Sequence, residues 1–333
     1  MATPPLPVRN GVGPTRLRIP AGTPSTVVDF LRTRFPHLAD ESITQRIMDR
    51  EIVADDGTVI TATTPADEHE FIWYYRTVPH ETRIPFDIDV LHMDEHLVVA
   101  DKPHFLPTTP GGQFVQETAL VRLRNQLNLP DLVPLHRLDR ATAGILLFSP
   151  HPETRGAYQQ LFEHRRVTRY YQAVVALPSP ATLYLERFPL TFRNRIVKTK
   201  GVITAEVEAY PVADSGRIEA PRVGKRRRSH APTTGPNAIT RVELLNYHNV
   251  GDTTLAHVAL YPQTGRTHQL RIHLAALGHA IVHDRFYPEL LDHAPDDYSK
   301  PLQLLASGVA FTDPFTGKSR SFTSQRTLAF AND

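Results

Sequence analysis

The sequence predicts an α+β fold, and three observations lead there. β-Prone runs occur at Leu97 to Ala100, Gly144 to Phe148, Tyr170 to Val175, Arg241 to Leu245 and Thr254 to Tyr261. Apolar stripes at helical spacing are carried by Leu120, Leu123 and Leu127, by Tyr158, Leu161 and Phe162, and by Leu270, Leu274 and Leu277. The two kinds of segment follow one another irregularly. With 333 residues, the chain has length for about two domains and a sizeable core.

Taken in order, residues 1–24 are rich in Pro, Gly and Thr without apolar periodicity, and a mobile tail is expected. A short helix is expected over Thr26 to Phe35, where Val27, Phe30, Leu31 and Phe35 form a stripe. A second starts at Asp40 or Ser42 and carries Ile43, Ile47 and Met48, with Arg46 and Arg50 on its surface. Ile52 to Ala54 and Thr58 to Ile60 flank Asp56-Gly57, a strong hairpin signal. Phe71 to Tyr75 reads as the closing strand. Together these make a small helix-helix-hairpin module over residues 25–80, with Thr77 to Arg83 as linker and residues 81–333 as a second domain. Within the latter, residues 213–236 are polar and aperiodic and contain Lys225, Arg226, Arg227 and Arg228, as in a mobile basic loop. There is no internal repeat, and Gly11-Val12-Gly13 neither follows a strand nor opens a helix, so no phosphate-binding glycine loop is expected.

Composition narrows the chemistry. Hydrophobic residues make up 41% and charged residues 22%, ordinary for a soluble globular protein. No stretch approaches a membrane span or the apolar core of a secretory signal, so a cytoplasmic, membrane-free protein is expected. The absence of cysteine excludes disulfides, thiolate nucleophiles and cysteine-held clusters. A net charge of +2 is too small for nucleic-acid binding by overall charge; any such binding needs local clusters, and Arg165, Arg166 and Arg169, the run Arg193 to Lys200, and Lys225 to Arg228 supply candidates. Taken alone, each reads first as a solvated loop or helix face.

Two polar runs carry the chemistry. In Pro134 to Phe148, a dense charged group, His136-Arg137-Leu138-Asp139-Arg140, abuts the apolar strand Gly144 to Phe148. Locally, Asp139 reads first as a structural partner of Arg137 or Arg140 that caps a turn, and spacing alone does not overturn that reading. In Gln263 to His273, Gly265 ends a strand, and Arg266, His268 and Arg271 surround a helix start, where free amides and arginine forks attract anions. The bland alternative is a well-capped solvated helix. Seventeen histidines raise the question of a metal, notably His279 and His283 at i,i+4, but no third ligand accompanies them, and His268 and His273 are five apart. No metal is expected. His136-Arg137 has the start of a kinase catalytic loop without its downstream metal-binding triplet.

These runs resemble, in order and spacing, the RluA-type RNA pseudouridine synthases, whose signature HRLDxxTSGLLLF is matched here by HRLDRATAGILLF. The likeness extends to Asp94 to Pro103, Val167 to Val175, Thr264 to Arg271, Gly278 to Asp284 and Phe311 to Gly317, nearly all of residues 84–325. Departures are Ala143 for the usual Ser, Arg169 for Lys, His104-Phe105 for Ala-Gly, and Ala280 and His283 for Pro and Gly. None removes an acid, base or cation the reaction needs. The N-terminal module more faintly resembles a small ribosomal-protein-type RNA-binding domain, the alternative being a packing extension.

The resemblance implies a mixed, mainly antiparallel sheet flanked by helices, and isomerisation of uridine to pseudouridine in rRNA or tRNA without metal, redox change or cofactor. It assigns Asp139 as the catalytic carboxylate, acting as nucleophile or as base on a ribose proton, with Arg271 as its cationic partner. A surface phosphate contact is the other reading of Arg271. It also assigns Tyr171 to stack on the uracil and take the proton from ring carbon five, with Tyr170 on the opposite strand face. Arg137 is implied as the wedge that fills the gap left by a flipped base. His136, Arg140, Arg169, Arg266, His268 and Lys225 to Arg228 are expected RNA contacts, and the protein an RNA-binding monomer. The rival is an RNA-binding or ribosome-assembly protein that keeps this fold without the chemistry.

Overall fold

The computed structural model describes residues 4–329 apart from residues 24, 37, 39, 77–80, 209–234 and 293. Two compact units divide the chain: one comprises Met1–Arg83 with Thr109–Pro130, the other Ile84–Thr108 with Asp131–Asp333. The segment from Thr109 to Pro130, read from sequence as part of the second domain, thus belongs by its contacts to the N-terminal unit.

The N-terminal unit holds β1 (Thr15–Arg18), α1 (Val27–Arg34), α2 (Asp40–Met48), β2 (Ile52–Ala54), β3 (Phe71–Tyr74) and α3 (Ala119–Leu127). Thr26 caps α1: its Oγ accepts the Asp29 amide at 3.2 Å, and Asp29 places negative charge in the first turn. The stripe predicted from sequence becomes a core, with Val27, Leu31, Ile43, Ile52, Ile60 and Ile72 buried together. Around Asp56-Gly57 the chain turns back, with the Ala54 amide donating to Thr58 O at 2.8 Å and that of Ile60 to Ile52 O at 3.0 Å. The returning arm is a single Val53–Val59 bridge, and Phe71–Tyr74 is the central strand of a sheet ordered β1-β3-β2.

The expected tail is corrected by β1, whose Leu17 pairs with Ile72 while the neighbouring Ile19 is buried. Two alternating apolar residues were too few to show a period; pairing to β3 supplies what local propensity does not.

The second unit is built on an 11-stranded sheet. Its strands are β4 (Asp89–Met93), β5 (Val98–Lys102), β6 (Val133–Pro134), β7 (Ala143–Ser149), β8 (Thr168–Leu177), β9 (Leu190–Val197), β10 (Glu206–Glu208), β11 (Ala238–Val250), β12 (Thr253–Pro262), β13 (Leu304–Thr312) and β14 (Ser319–Thr323). Helices α4 (Pro152–Glu163), α5 (Thr182–Leu185) and α6 (Gln269–Ala276) accompany it. The main path runs β10-β9-β11-β12-β8-β13-β7-β5-β4, all neighbours antiparallel except β13 and β7. The expected mixed, mainly antiparallel α+β sheet is therefore the fold. Every residue of β5 and β7 is buried, which explains the apolar runs Val98 to Ala100 and Ala143 to Phe148 and puts Asp101 and Lys102 in the interior.

Register places the candidate site. Leu305 of β13 lies level with Ala143 on one side and Gln172 on the other, and Tyr171 pairs with Leu260 near the end of β12. The start of β7, Tyr171 of β8 and the exit from β12 into α6 therefore meet at one end of the sheet. Gly144 makes the parallel approach feasible: its φ is 112°, and a Cβ there would collide with the Ala306 backbone.

Candidate active site

Asp139 stands in the loop between β6 and β7, and the backbone of that loop is clamped by one neighbouring segment. Thr108 Oγ accepts the Leu138 amide at 3.1 Å and donates to Leu138 O at 2.8 Å. His104 Nδ1 donates to Ala141 O at 2.7 Å. Lys102 Nζ, wholly buried, donates to Arg140 O at 3.3 Å and to Pro103 O and Leu106 O at 2.9 and 2.7 Å. Burial pushes its pKa down to about 7, against the opposing pull of the Asp139 charge. A further turn closes with the Thr142 amide donating to Asp139 O at 3.1 Å.

The loop begins where β6 stops pairing. Leu135 N–H still donates to Leu147 O, at 2.8 Å, but the Leu147 amide donates to the His136 ring, Nε2, at 3.2 Å. His136 also stacks on Phe162 with centroids 4.8 Å apart, and burial drives its pKa to about 3. This neutral ring terminates the ladder, which leaves the expected RNA contact without its charge.

Opposite Asp139, α6 supplies Arg271, whose Nη1 lies 3.5 Å from Asp139 Oδ2. Only 4% of the Arg271 side chain is exposed, which does not fit a surface phosphate contact. Its other face forms a two-pronged pair with Asp284, Nε to Oδ2 at 2.8 Å and Nη2 to Oδ1 at 2.6 Å. Asp284 also accepts the amides of Phe286 and Tyr287, at 2.8 and 3.2 Å, and the Phe286 ring lies 4.6 Å from the guanidinium carbon. Burial works against the Arg271 charge, but the Asp284 hydrogen bonds and the charges of Asp284 and Asp139 outweigh it. The guanidinium is thus a fixed cation aimed at the carboxylate.

His268, the residue before α6, has Nε2 3.8 Å from Asp139 Oδ2. Tyr171 packs against the same core cluster as Ala141, and burial followed by the Asp139 charge raises its hydroxyl pKa, with Arg169 opposing. Tyr170, on the other strand face, is 38% exposed and meets Tyr261 edge-on at 6.1 Å.

The other expected RNA contacts are differently placed. Arg137 is exposed and, among the described residues, makes no side-chain hydrogen bond or ion pair. Arg140 pairs with both oxygens of Asp296. Arg169 Nη2 donates to Thr264 O at 3.1 Å, under the approach to α6. Arg266 Nε donates to Asn237 O at 3.2 Å. Lys225, Arg226, Arg227 and Arg228 lie outside the described residues.

His279 and His283 lie in the loop beyond α6, so their i,i+4 spacing is not helical, and no group of three metal-ligating side chains occurs among the described residues. Sequence reasoning missed Asp284, Lys102 and Thr108. Asp284 and Lys102 lie inside the runs that resemble the family, Gly278 to Asp284 and Asp94 to Pro103, but nothing local showed what they would hold.

Two of the family departures now have a backbone context. Phe105 and His283 stand where glycine is common, and both have positive φ, 66° and 63°. Phe105 offsets that strained conformation with ring contacts to Phe86 and Tyr298 at 6.1 and 5.1 Å. His283 Nδ1 donates to Pro301 O at 3.1 Å.

Residues 96–276 match the family profile described as RNA pseudouridylate synthase. An RNA pseudouridine synthase of Synechocystis sp. strain PCC 6803, named as uncharacterised, is 30% identical over 78% of this chain and 79% of its own. The dual-specificity RNA pseudouridine synthase RluA of Salmonella typhimurium is 33% identical over 70% of this chain and 90% of its own. The tRNA pseudouridine(31) synthase of Saccharomyces cerevisiae is 31% identical over 62% of this chain and 48% of its own. In fold, the chain resembles human RNA pseudouridylate synthase domain containing 1, with a TM-score of 0.53 and 20% identity over 74% of this chain and 86% of that one. The chain belongs to the RluA-type RNA pseudouridine synthase family, enzymes that isomerise uridine to pseudouridine.

Proposed function

We propose that this chain acts on specific uridines of structured rRNA or tRNA, with Asp139 as the reacting carboxylate. The observation that carries the reading is the Asp139–Arg271 approach, in which a partly exposed carboxylate meets a buried cation already locked by Asp284. The names of two relatives support the substrate class, one a dual-specificity and one a tRNA enzyme.

The reaction breaks the bond from ribose to ring nitrogen one, turns the uracil, and joins ribose to ring carbon five; the proton on that carbon leaves and nitrogen one gains one. Asp139 serves as nucleophile at the ribose or as base on a ribose proton, and both routes need it ionised and aimed. Arg271 keeps it so. Tyr171 stacks on the turned base and receives the carbon-five proton. Arg137, exposed at the loop start, fills the gap left by the flipped nucleotide, offsetting part of the few kcal/mol of lost stacking.

The protein works in the cytoplasm as a monomer. Its N-terminal unit adds RNA contacts, a role supported by a groove lined by Arg34, Arg76, Phe35 and Tyr74. Lys225 to Arg228 add phosphate contacts. Incubation with separate rRNA and tRNA pools, followed by pseudouridine mapping, tests the reading; new pseudouridine at discrete sites in either pool is expected, and unchanged RNA in both contradicts it. Charge reversal at Arg34 and Arg76 together should weaken RNA binding about tenfold and flatten its salt dependence. An unchanged salt slope would remove the N-terminal unit from the interface.

A further inference from the structure

His268 was expected to touch RNA, yet its ring is enclosed. Only 11% of its side chain is exposed, and the rings of Phe286 and Tyr287 pack on it with centroids 5.6 and 5.7 Å away. Its backbone sits at φ 53°, a left-handed conformation that histidine tolerates better than most side chains. This places the ring between two partners. Nε2 lies 3.8 Å from Asp139 Oδ2, and Nδ1 lies 2.9 Å from the Tyr287 hydroxyl.

The Tyr287 hydroxyl is linked to which nitrogen carries the proton. It accepts the Ala205 amide at 2.8 Å, and its single proton can go to Ala205 O at 3.2 Å or to His268 Nδ1 at 2.9 Å. Given to Ala205 O, it would leave Nδ1 protonated and turn a bare Nε2 lone pair toward the carboxylate. Given to Nδ1, it leaves the proton on Nε2, facing the carboxylate as a donor. The 2.9 Å contact is a hydrogen bond in either arrangement; the Asp139 charge beside Nε2 selects the second, which the Tyr287 hydroxyl completes by donating to Nδ1. Burial lowers the His268 pKa, with Asp139 opposing, so the neutral form needs this tautomer to be an attractive neighbour.

Arg271 Nη1 approaches the same oxygen, Oδ2, at 3.5 Å. Asp139 Oδ1 has no hydrogen bond or ion pair among the described residues. The two oxygens are therefore unequal before any substrate arrives.

We propose that His268 is a positioning residue for Asp139: with the Tyr287 hydroxyl donating to its Nδ1, it joins Arg271 in holding Oδ2 and leaves Oδ1 as the oxygen presented to the ribose. The inference rests on Asp139 being the reacting carboxylate. The Tyr287 ring also lies 5.5 Å from the Arg271 guanidinium, a contact that Phe retains, so it is the hydroxyl that acts through His268.

The test uses the full chain and an RNA transcript in which it forms pseudouridine, with single-turnover rates and RNA binding measured separately. His268→Asn keeps a residue suited to left-handed backbone but is too short to reach Asp139; it should slow the single-turnover rate roughly 10- to 100-fold with the RNA Kd within about threefold. Tyr287→Phe should slow it about three- to tenfold, and the double variant should be no slower than His268→Asn alone, because the two act in series. His268→Gln, which retains a terminal N–H donor, should recover part of the rate and guards against a folding defect in His268→Asn. Weakened RNA binding at an unchanged single-turnover rate would make His268 an RNA contact and overturn the proposal. So would multiplicative effects in the double variant, or wild-type rates in both single variants. Asp139→Asn, run alongside, separates the two levels: full activity there would refute the role of Asp139 itself.

Discussion

Asp139 and Arg271 face each other across 3.5 Å, yet the two sides of the site are held in opposite ways. The Asp139 loop is fixed through its backbone, by Thr108 on Leu138, His104 on Ala141 and Lys102 on Arg140. The Arg271 side is fixed through charge, by a buried pair with Asp284 whose exposures are 4% and 1%. A backbone clamp holds a loop in place without engaging its one acidic side chain. A buried ion pair holds a cation at the cost of making each partner depend on the other.

Breaking the charged side should have the larger effect. Asp284→Ala leaves Arg271 buried without its partner, and should cost about 3 to 5 kcal/mol in urea unfolding together with most of the activity. A loss below about 1 kcal/mol would mean that Asp139 alone satisfies the guanidinium. On the backbone side, Thr108→Val keeps the shape but leaves the Leu138 amide and carbonyl unpaired, at about 2 kcal/mol. The single-turnover rate should fall with RNA affinity unchanged. Equal losses of rate and affinity would place the clamp in the RNA interface instead.

The Lys102 contribution is read by pH. Its folded pKa is about 7 against an ordinary 10.5, so between those values the unfolded chain carries a proton that the folded chain has released. Stability therefore rises with pH across that window, with a slope approaching one proton, and Lys102→Met should flatten the rise. A parallel rise in the variant would assign it to other groups. The smallest effect is expected at His279, fully buried, with a pKa pushed down to about 4 by burial against the opposing pull of the Gly278 backbone. From pH 6.5 downward the unfolded chain takes up a proton that the folded chain refuses, so stability falls with pH. His279→Leu should shift the acid midpoint downward and change neutral-pH stability by less than about 1 kcal/mol. An unmoved acid midpoint would pass the effect to His136, His104 or His273, whose pKa values burial also lowers.

Much of the fold was legible because strongly periodic segments are also strongly buried. The apolar run in β7 and the Leu270 and Leu274 stripe of α6 became core. What escaped was pairing without period. β9 was concealed in a basic run, since its alternation sets Arg193 and Arg195 against Phe192 and Ile196, and β1 is a strand only because β3 lies beside it. In the site, ordered motifs pointed to Asp139 and Arg271, whereas Asp284, Thr108 and Lys102 act through contacts between segments distant along the chain. His136 shows the opposite failure. Charge-bearing residue types beside a motif suggested RNA, while a ring nitrogen accepting the Leu147 amide is visible only in three dimensions.

One measurement bears on the whole account: mapping pseudouridine in the substrate RNA after incubation with Asp139→Asn, with RNA binding measured on the same preparation. Pseudouridine formation should vanish while the Kd stays within about tenfold of wild type, since the phosphate contacts remain. Pseudouridine formed at the wild-type rate by Asp139→Asn would contradict it, because no other carboxylate faces Arg271 from the open side of the site among the described residues.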